Sequence, residues 1–216
     1  MNIKNANYRD LRFCENLNIT RFDGCGEYDI PVLQPYQYEP TEFVGFNYAK
    51  TAKDKQNKGI HFFVDDYQFE RVWRSPAQYI DMFSQFQCVM TPDFSLYTDY
   101  PKAIQIYNHY RKHWIGALLQ SWGINVIPTI AWSDKESFSW CFDGTPQGAT
   151  VAVSSVGTQK RPETKKAFLD GWFAMCERLM PETIIFHGEI PKECGGNIIR
   201  IKAFQEKFKE VKTYGW

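Results

Sequence analysis

From residue 59 onward, short apolar runs alternate with segments whose apolar residues recur every three or four positions. The runs HFFV at 61–64 and CVM at 88–90 predict two strands on either side of a helical segment. A strand, a helix and a strand in that order form a βαβ unit, whose two strands lie parallel. Three further apolar runs, at 125–131, 150–153 and 183–186, repeat the pattern. The chain therefore predicts an α/β fold with a five-stranded, mainly parallel sheet and flanking helices.

The segments between these strands contain residues that typically begin or end helices. Ser75–Pro76 and Pro101 suit helix starts, and Gly123 suits a helix end. Ser133 is expected to cap a short helix, and longer helices are expected at 162–179 and about 198–212. Right-handed crossovers would cover both faces of the sheet with helices. Either an open three-layer sandwich or an incomplete β/α barrel satisfies this pattern, because the number of strands does not distinguish them.

The regular pattern covers only the middle of the chain. Residues 1–58 have weak periodicity and several prolines and glycines, although 40–46 has the character of a short strand. We expect one domain of 216 residues, with an irregular N-terminal wrap at 1–58, a βα core at 59–191 and a C-terminal helix at 192–216.

Charge and cysteine usage narrow the classes of protein. The chain has 25 Lys and Arg residues and 25 Asp and Glu residues, so no overall charge draws it to nucleic acid or to membranes. None of its six cysteines forms a CxxC pair, which argues against zinc-ribbon and iron–sulfur sites. With no secretory leader and no long apolar run, a cytoplasmic protein with reduced thiols and no membrane contact is expected.

Several long motifs resemble one family. In chain order they are HFFVDDYQFERVW, TPDFSLYTDYP, NHYRKHWIGALLQSWGINVIPTIAWSD, SFSWCFDGTPQG and TVAVSSVG. Together they resemble the family called domain of unknown function 4417, over about residues 31–189. That family is found mainly in bacteria and in their phages and mobile elements, so the resemblance implies a prophage or mobile-element origin. It implies no reaction and assigns no role to any residue.

Polar side chains follow each predicted strand, where ligands of parallel α/β folds bind. We predict four of them as catalytic acids: Asp65, Asp66, Asp93 and Glu189. The predicted ligand-binding residues are Ser95, Arg111, Trp132, Ser133, Ser154, Ser155 and His187. Converging carboxylates could hold Mg²⁺ or Mn²⁺, or could divide the roles of general acid and general base. Alternatively, the aspartates cap the turns that follow their strands.

Further sequence patterns argue against several known classes of active site. The segment HYRKH spaces His109 and His113 four apart, but it lacks the Glu of a zinc-protease motif, so a polar helix face with Arg111 and Lys112 exposed is expected. P-loop, GxSxG and GxGxxG motifs are absent. Two functions stay open. One is action on a phosphate-containing or nucleic-acid ligand through an acidic strand-end pocket; the other is non-catalytic binding of a host or phage protein.

Overall fold

The computed structural model describes residues 20–37 and 42–203. Its α-helices are α1 (Phe46–Ala49), α2 (Asp66–Arg74), α3 (Ile80–Phe83), α4 (Lys102–Ser121) and α5 (Pro162–Leu179). Its strands are β1 (Gly24–Cys25), β2 (Ile30–Pro31), β3 (Glu42–Gly45), β4 (Lys58–His61), β5 (Cys88–Met90), β6 (Val126–Ile127), β7 (Thr150–Ser154), β8 (Thr183–His187) and β9 (Ile198–Ile201). The fold is thus α/β, as the alternation of patterns predicts. No helix within the described ranges is long and apolar enough to cross a membrane.

Seven strands run parallel and lie side by side in the order of the sequence. Strands β3 to β6 form one sheet and β7 to β9 form another, while β1 and β2 make a separate antiparallel pair. The prediction of one five-stranded sheet is therefore wrong. The short strand expected at 40–46 is β3, and it pairs in parallel with β4.

The two parallel sheets meet at Thr129, which forms an isolated parallel bridge with Ala152 of β7. Pro128 has no N–H to donate, so the β6 ladder stops at Ile127, as expected for a strand with an edge or bulge there. Beyond the end of this ladder, Thr91 and Thr129 are joined by two hydrogen bonds. The Thr129 N–H donates to Thr91 Oγ1, and Thr129 Oγ1 donates to the Thr91 carbonyl, both at 2.8 Å.

The sheets curve toward each other. His61 ends β4 and His187 ends β8, four strands further along, yet the centroids of their rings are 5.5 Å apart. One buried apolar cluster includes Ile60 and Val89 from the first sheet together with Ile185 and Ile201 from the second. Because a flat array would keep these strands well over 15 Å apart at the usual spacing of neighbours, the contact requires strong curvature.

Helices α4 and α5 each approach the segment that follows a strand so closely that the helix has glycine at the contact. A methyl group at Gly116 of α4 would lie 2.8 Å from Thr91 Cγ2 of the segment after β5, and one at Gly171 of α5 would lie 2.2 Å from Trp132 Nε1. Helix α5 has the predicted bounds, with Pro162 in its first turn. Helix α4 ends before Gly123, whose φ of 77° is left-handed, again as predicted.

Four element predictions are wrong. The strand expected at 61–64 is instead β4 at Lys58–His61, because Gly59 and Ile60 pair with β5. The segment after Ser75–Pro76 forms only a short 3-10 helix and the single turn α3, because the main helix here is α2, which begins at Asp66. The short helix at Lys135–Ser139 is capped by Asp134 rather than Ser133, since Asp134 Oδ1 accepts from two backbone N–H groups. The residues at 198–201 form strand β9 instead of a helix, because this run of β-branched residues pairs with β8. The remainder of that predicted helix, beyond residue 203, lies outside the described residues.

Candidate functional site at the strand ends

Three polar side chains from the two sheets meet at one place, which we call the histidine–serine site: His61, Ser154 and His187. Each is the last residue of its strand, so all lie at the carboxyl edge. Ser154 Oγ lies 3.0 Å from His187 Nδ1. The Phe63 ring stacks on His187, with 4.7 Å between centroids and 11° between planes. The site combines two imidazoles and a hydroxyl, and it includes the predicted residues Ser154 and His187.

A basic residue binds the backbone directly after His187. Arg200 of β9 donates from Nε to the carbonyl of Gly188, the residue that follows His187, at 2.9 Å. Gly188 has a φ of 100°, a conformation that favours glycine, and it allows the chain to turn directly after the histidine. The backbone directly after His187 therefore holds the Arg200 guanidinium in place.

The acidic residues after β4 and β5 form a different arrangement. Asp66 accepts hydrogen bonds from both the backbone N–H and the hydroxyl of Ser95, at 3.0 and 2.9 Å. The Ser95 carbonyl in turn accepts from Asn108 of α4. Asp66 and Ser95 thus hold the segment after β5 against α2 and α4, which is the turn-fixing role that short acidic side chains often take.

Asp93 lies near a buried lysine. Burial raises the pKa of the Asp93 carboxyl to about 7, while Lys112 lowers it and Asp66 raises it further. Lys112 is only 1% exposed, and burial lowers the pKa of its amine, whereas Asp93 and Cys141 raise it. Since each group stabilises the charged form of the other, Asp93 and Lys112 form an electrostatically coupled acid and base.

Arg111 is fixed by its neighbours. Its guanidinium forms an ion pair with Glu70 of α2 at 2.7 Å, and Nε donates to Asn108. The same group lies 3.6 Å from the centroid of the Phe94 ring. These contacts make Arg111 a support between α2, α4 and the segment after β5.

The other predicted site residues lie in different surroundings. Asp65 and Glu189 are exposed, and Asp65 is the N-cap residue of α2. Ser155 is 1% exposed, and its hydroxyl donates to the Glu189 carbonyl at 2.6 Å. Trp132 packs against Phe168 of α5 and fills the space left by Gly171. The two sheets therefore bring Ser154 and His187 together, but they do not gather the four predicted acids.

A group of buried polar atoms between α4 and residues 133–145 was not predicted. Six buried side-chain atoms have no hydrogen-bond partner in the described part of the chain: His109 Nδ1, Lys112 Nζ, His113 Nε2, Ser133 Oγ, Trp140 Nε1 and Thr145 Oγ1. The other nitrogen of each histidine faces a backbone carbonyl, of Asp143 for His109 and of Pro31 for His113. Because a carbonyl only accepts, each unpartnered histidine nitrogen carries a lone pair. The expectation of an exposed helix face is wrong here, since Arg111 and Lys112 are buried.

His109 and His113 lie together, with ring centroids 4.5 Å apart. Burial lowers the pKa of both imidazoles, to about 3 for His113. Within residues 20–37 and 42–203, no group of three or more His, Cys, Asp and Glu side chains could hold a metal ion. The five cysteines of these ranges are free thiols.

Comparison of the sequence with known protein families identifies a match over most of the chain. The model of the family described as Domain of unknown function (DUF4417) matches residues 22–205. The chain belongs to the DUF4417 family. This confirms the relationship indicated by the sequence motifs, and the match includes every residue of the histidine–serine site.

Two relatives of this DUF4417 protein come from phages. The Gene 1 protein of Mycobacterium phage L5 is 39% identical over 177 residues, which cover 81% of this chain and 77% of that protein. The Gene 1 protein of Mycobacterium phage D29 is 38% identical over 177 residues, which cover 81% of this chain and 65% of that protein. No solved structure matches the chain. The relatives agree with the expected phage and mobile-element setting.

Proposed function

We propose that this DUF4417 protein binds a phosphate-containing ligand, such as a nucleotide or a nucleic-acid strand, at the histidine–serine site. The observation that carries the proposal is the meeting of His61, Ser154 and His187, with the Arg200 guanidinium bound to the carbonyl of the next residue, Gly188. Imidazole N–H groups, a hydroxyl and a guanidinium are all donors that suit phosphate oxygens.

We infer that the seven parallel strands form an incomplete β/α barrel. The contact between His61 and His187 and the core shared by both sheets support this arrangement over an open sandwich. In β/α barrels, ligands bind at the carboxyl ends of the strands. The histidine–serine site occupies that position, which adds support to its role in ligand binding.

Asp93 is the predicted acid with the best support for a chemical role. A carboxyl whose pKa is about 7 can both give and take a proton near neutral pH. Asp65 and Glu189 are exposed, and Asp66 is committed to Ser95.

The binding proposal is tested by titrating the full chain with a fluorescein-labelled single-stranded oligonucleotide and with a mononucleotide, using anisotropy and calorimetry. His187→Asn and Arg200→Gln should each weaken binding about 10- to 100-fold, the loss expected for a charged hydrogen bond. Lys166→Gln is the matched control, because it removes the same charge from the exposed face of α5. If Arg200→Gln and Lys166→Gln weakened binding equally, the loss of affinity would come from general charge attraction, and the proposal would be refuted.

A second candidate function is binding of a phage or host protein through an aromatic surface. Tyr97 and Tyr100 form an exposed edge-to-face pair just before α4, and Ile104 and Tyr107 are exposed on its first turns. Exposed aromatic groups of this kind are frequent at the centres of protein interfaces. If this function is the correct one, Tyr97→Ser and Tyr107→Ser should abolish the biological effect of the protein in the cell, while His187→Asn should leave it intact.

A further inference from the structure

Ser154 and His187 are paired residues on neighbouring strands. They are direct partners in the parallel register of β7 and β8, and both are the last residues of those strands. The hydroxyl oxygen lies 3.0 Å from Nδ1 of the imidazole. This distance falls within the range at which a base can remove a proton from a nucleophile.

The surroundings of Ser154 favour donation of its proton to His187. The backbone N–H of Val156 donates to Ser154 Oγ at 3.3 Å, so one lone pair of the oxygen is already engaged. In the tautomer of His187 that carries its hydrogen on Nε2, the hydroxyl donates to Nδ1. Ser155 next to it provides a contrast, because its hydroxyl is buried and donates to a backbone carbonyl instead.

The imidazole of His187 is held in one orientation. The Phe63 ring is stacked against it, and the His61 ring, from the end of β4, lies 5.5 Å away between ring centroids. His61 itself is oriented, since the backbone N–H of Phe63 donates to its Nδ1 at 3.3 Å. A base whose ring is oriented by packing completes the arrangement typical of an activated serine.

We propose that Ser154 is a nucleophile and His187 its general base, acting on a phosphate ester. This inference rests on the proposed function and adds a reaction to the same site. The chain lacks a GxSxG motif, so the serine reaches this position at the end of a parallel strand rather than through that motif.

The reaction takes place in two balanced steps. In the first, Ser154 Oγ forms a bond to phosphorus and gives its proton to His187 Nδ1, while the bond from phosphorus to the leaving oxygen breaks. That oxygen takes the proton from the imidazolium and departs as an alcohol. In the second, water attacks the phosphoserine, its proton passes to His187, and Ser154 leaves and regains a proton.

A fluorophosphonate probe tests the proposal without knowledge of the substrate. The full-length protein should be labelled once, and mass spectrometry of peptides should place the label on Ser154. Ser154→Ala should abolish labelling, and His187→Asn should slow it at least 100-fold. The labelling rate of the wild type should rise with pH as the imidazole loses its proton, and this dependence should vanish in His187→Asn. Ser139→Ala is the control, because that exposed hydroxyl donates only to a backbone carbonyl and should not affect labelling.

A second variant keeps the test valid if Ser154→Ala is poorly folded. Ser154→Cys places a thiol beside the imidazole, and iodoacetamide at neutral pH should modify that peptide at least tenfold faster than in Ser154→Cys/His187→Asn. Labelling at another residue, or equal rates with and without His187, would overturn the serine–histidine assignment. If the oligonucleotide still binds in that case, the proposed binding function stands and only the reaction is refuted. Loss of both binding and labelling in the wild type would refute both.

Discussion

At the scale of single residues, the most unusual feature is the group of buried polar side chains on α4. His109, Lys112 and His113 are each no more than 1% exposed. The sequence gives no sign of this, because three polar residues spaced three and four apart normally mark the solvent face of a helix. The face is covered by β2 and by residues 133–145, which only the tertiary arrangement supplies. Burying such groups costs stability unless they remain neutral or gain partners.

This burial predicts a stability that depends on pH. The pKa of His113 is lowered to about 3 by burial, so its contribution is fully present above the ordinary histidine pKa of about 6.5 and is lost as pH falls toward 3. The free energy of unfolding, measured with urea, should therefore decrease between pH 7 and pH 4. His113→Asn keeps a donor for the Pro31 carbonyl and should reduce the slope by up to about 1.4 kcal/mol per pH unit.

The Asp93 carboxyl serves as a control, because its effect on the free energy of unfolding should change with pH in the opposite direction. Its pKa is raised to about 7, so its contribution is greatest below about pH 4 and is lost as pH rises toward 7. Asp93→Asn should therefore make the acid-side loss of stability steeper than in the wild type. If His113→Asn and Asp93→Asn both leave the slope unchanged, neither group has the burial described here.

At the scale of elements, α5 and the segment after β6 are joined by a contact that allows no side chain. Gly171 faces the edge of the Trp132 indole, where a methyl carbon would lie between 2.2 and 2.4 Å from three ring atoms. The indole in turn packs on Phe168, one turn earlier in α5. Trp132, predicted as a ligand-binding residue, has a packing role in these contacts.

We predict that Gly171→Ala destabilises the protein. Overpacking typically costs about 1–3 kcal/mol, which exceeds the gain of about 1 kcal/mol in helix propensity. Gly195→Ala is the matched control and should be near neutral, because no atom lies within 4 Å of its added methyl. Urea unfolding measures both changes. A Gly171→Ala variant at least as stable as the wild type would show that α5 can shift away from Trp132.

The helices and strands also show why some predictions from sequence succeed and others fail. Helix α5 is found at its predicted bounds because Pro162 favours its start and its apolar stripe is regular. The sequence predicts a helix from Ser75 instead of α2, because only three of the nine residues of α2 are buried and its apolar face is short. The sequence predicts a helix at β9 because its four residues, Ile198–Ile201, are too few for a strand periodicity to be recognised. The site was only partly predictable, since strand-end residues can be identified from sequence but the strands that meet across a curved array cannot.

At the scale of the whole molecule, two sheets share one apolar core. The cluster around β4 and β5 includes Ala152 of β7, Ile185 of β8 and Ile201 of β9. The threonine pair Thr91 and Thr129 joins the sheets at the position where Pro128 interrupts the ladder. We therefore expect the described residues to unfold as a single cooperative unit, in keeping with the prediction of one domain.

Thr91→Val tests this coupling. The substitution keeps the shape of the side chain but removes the acceptor of the buried Thr129 N–H, which should cost about 1–3 kcal/mol. Hydrogen exchange followed by mass spectrometry should show equal loss of protection in β5 and in β8. Thr51→Val, at an exposed hydroxyl, is the control and should change neither. Loss of protection confined to one sheet would separate the two sheets into independent units.

The order of the parallel strands has a consequence for how the molecule is assembled. Each of the strands β3 to β8 lies next to the strand that follows it in the chain, and Thr129 continues this order between the sheets. As the chain leaves the ribosome, each strand can therefore dock on the one already formed, and none must insert between earlier neighbours. The contact between His61 and His187 joins residues 126 positions apart, so it is among the last to form. A chain stopped before β8 would therefore lack the histidine–serine site and also Ile185 and Ile201 of the shared apolar core.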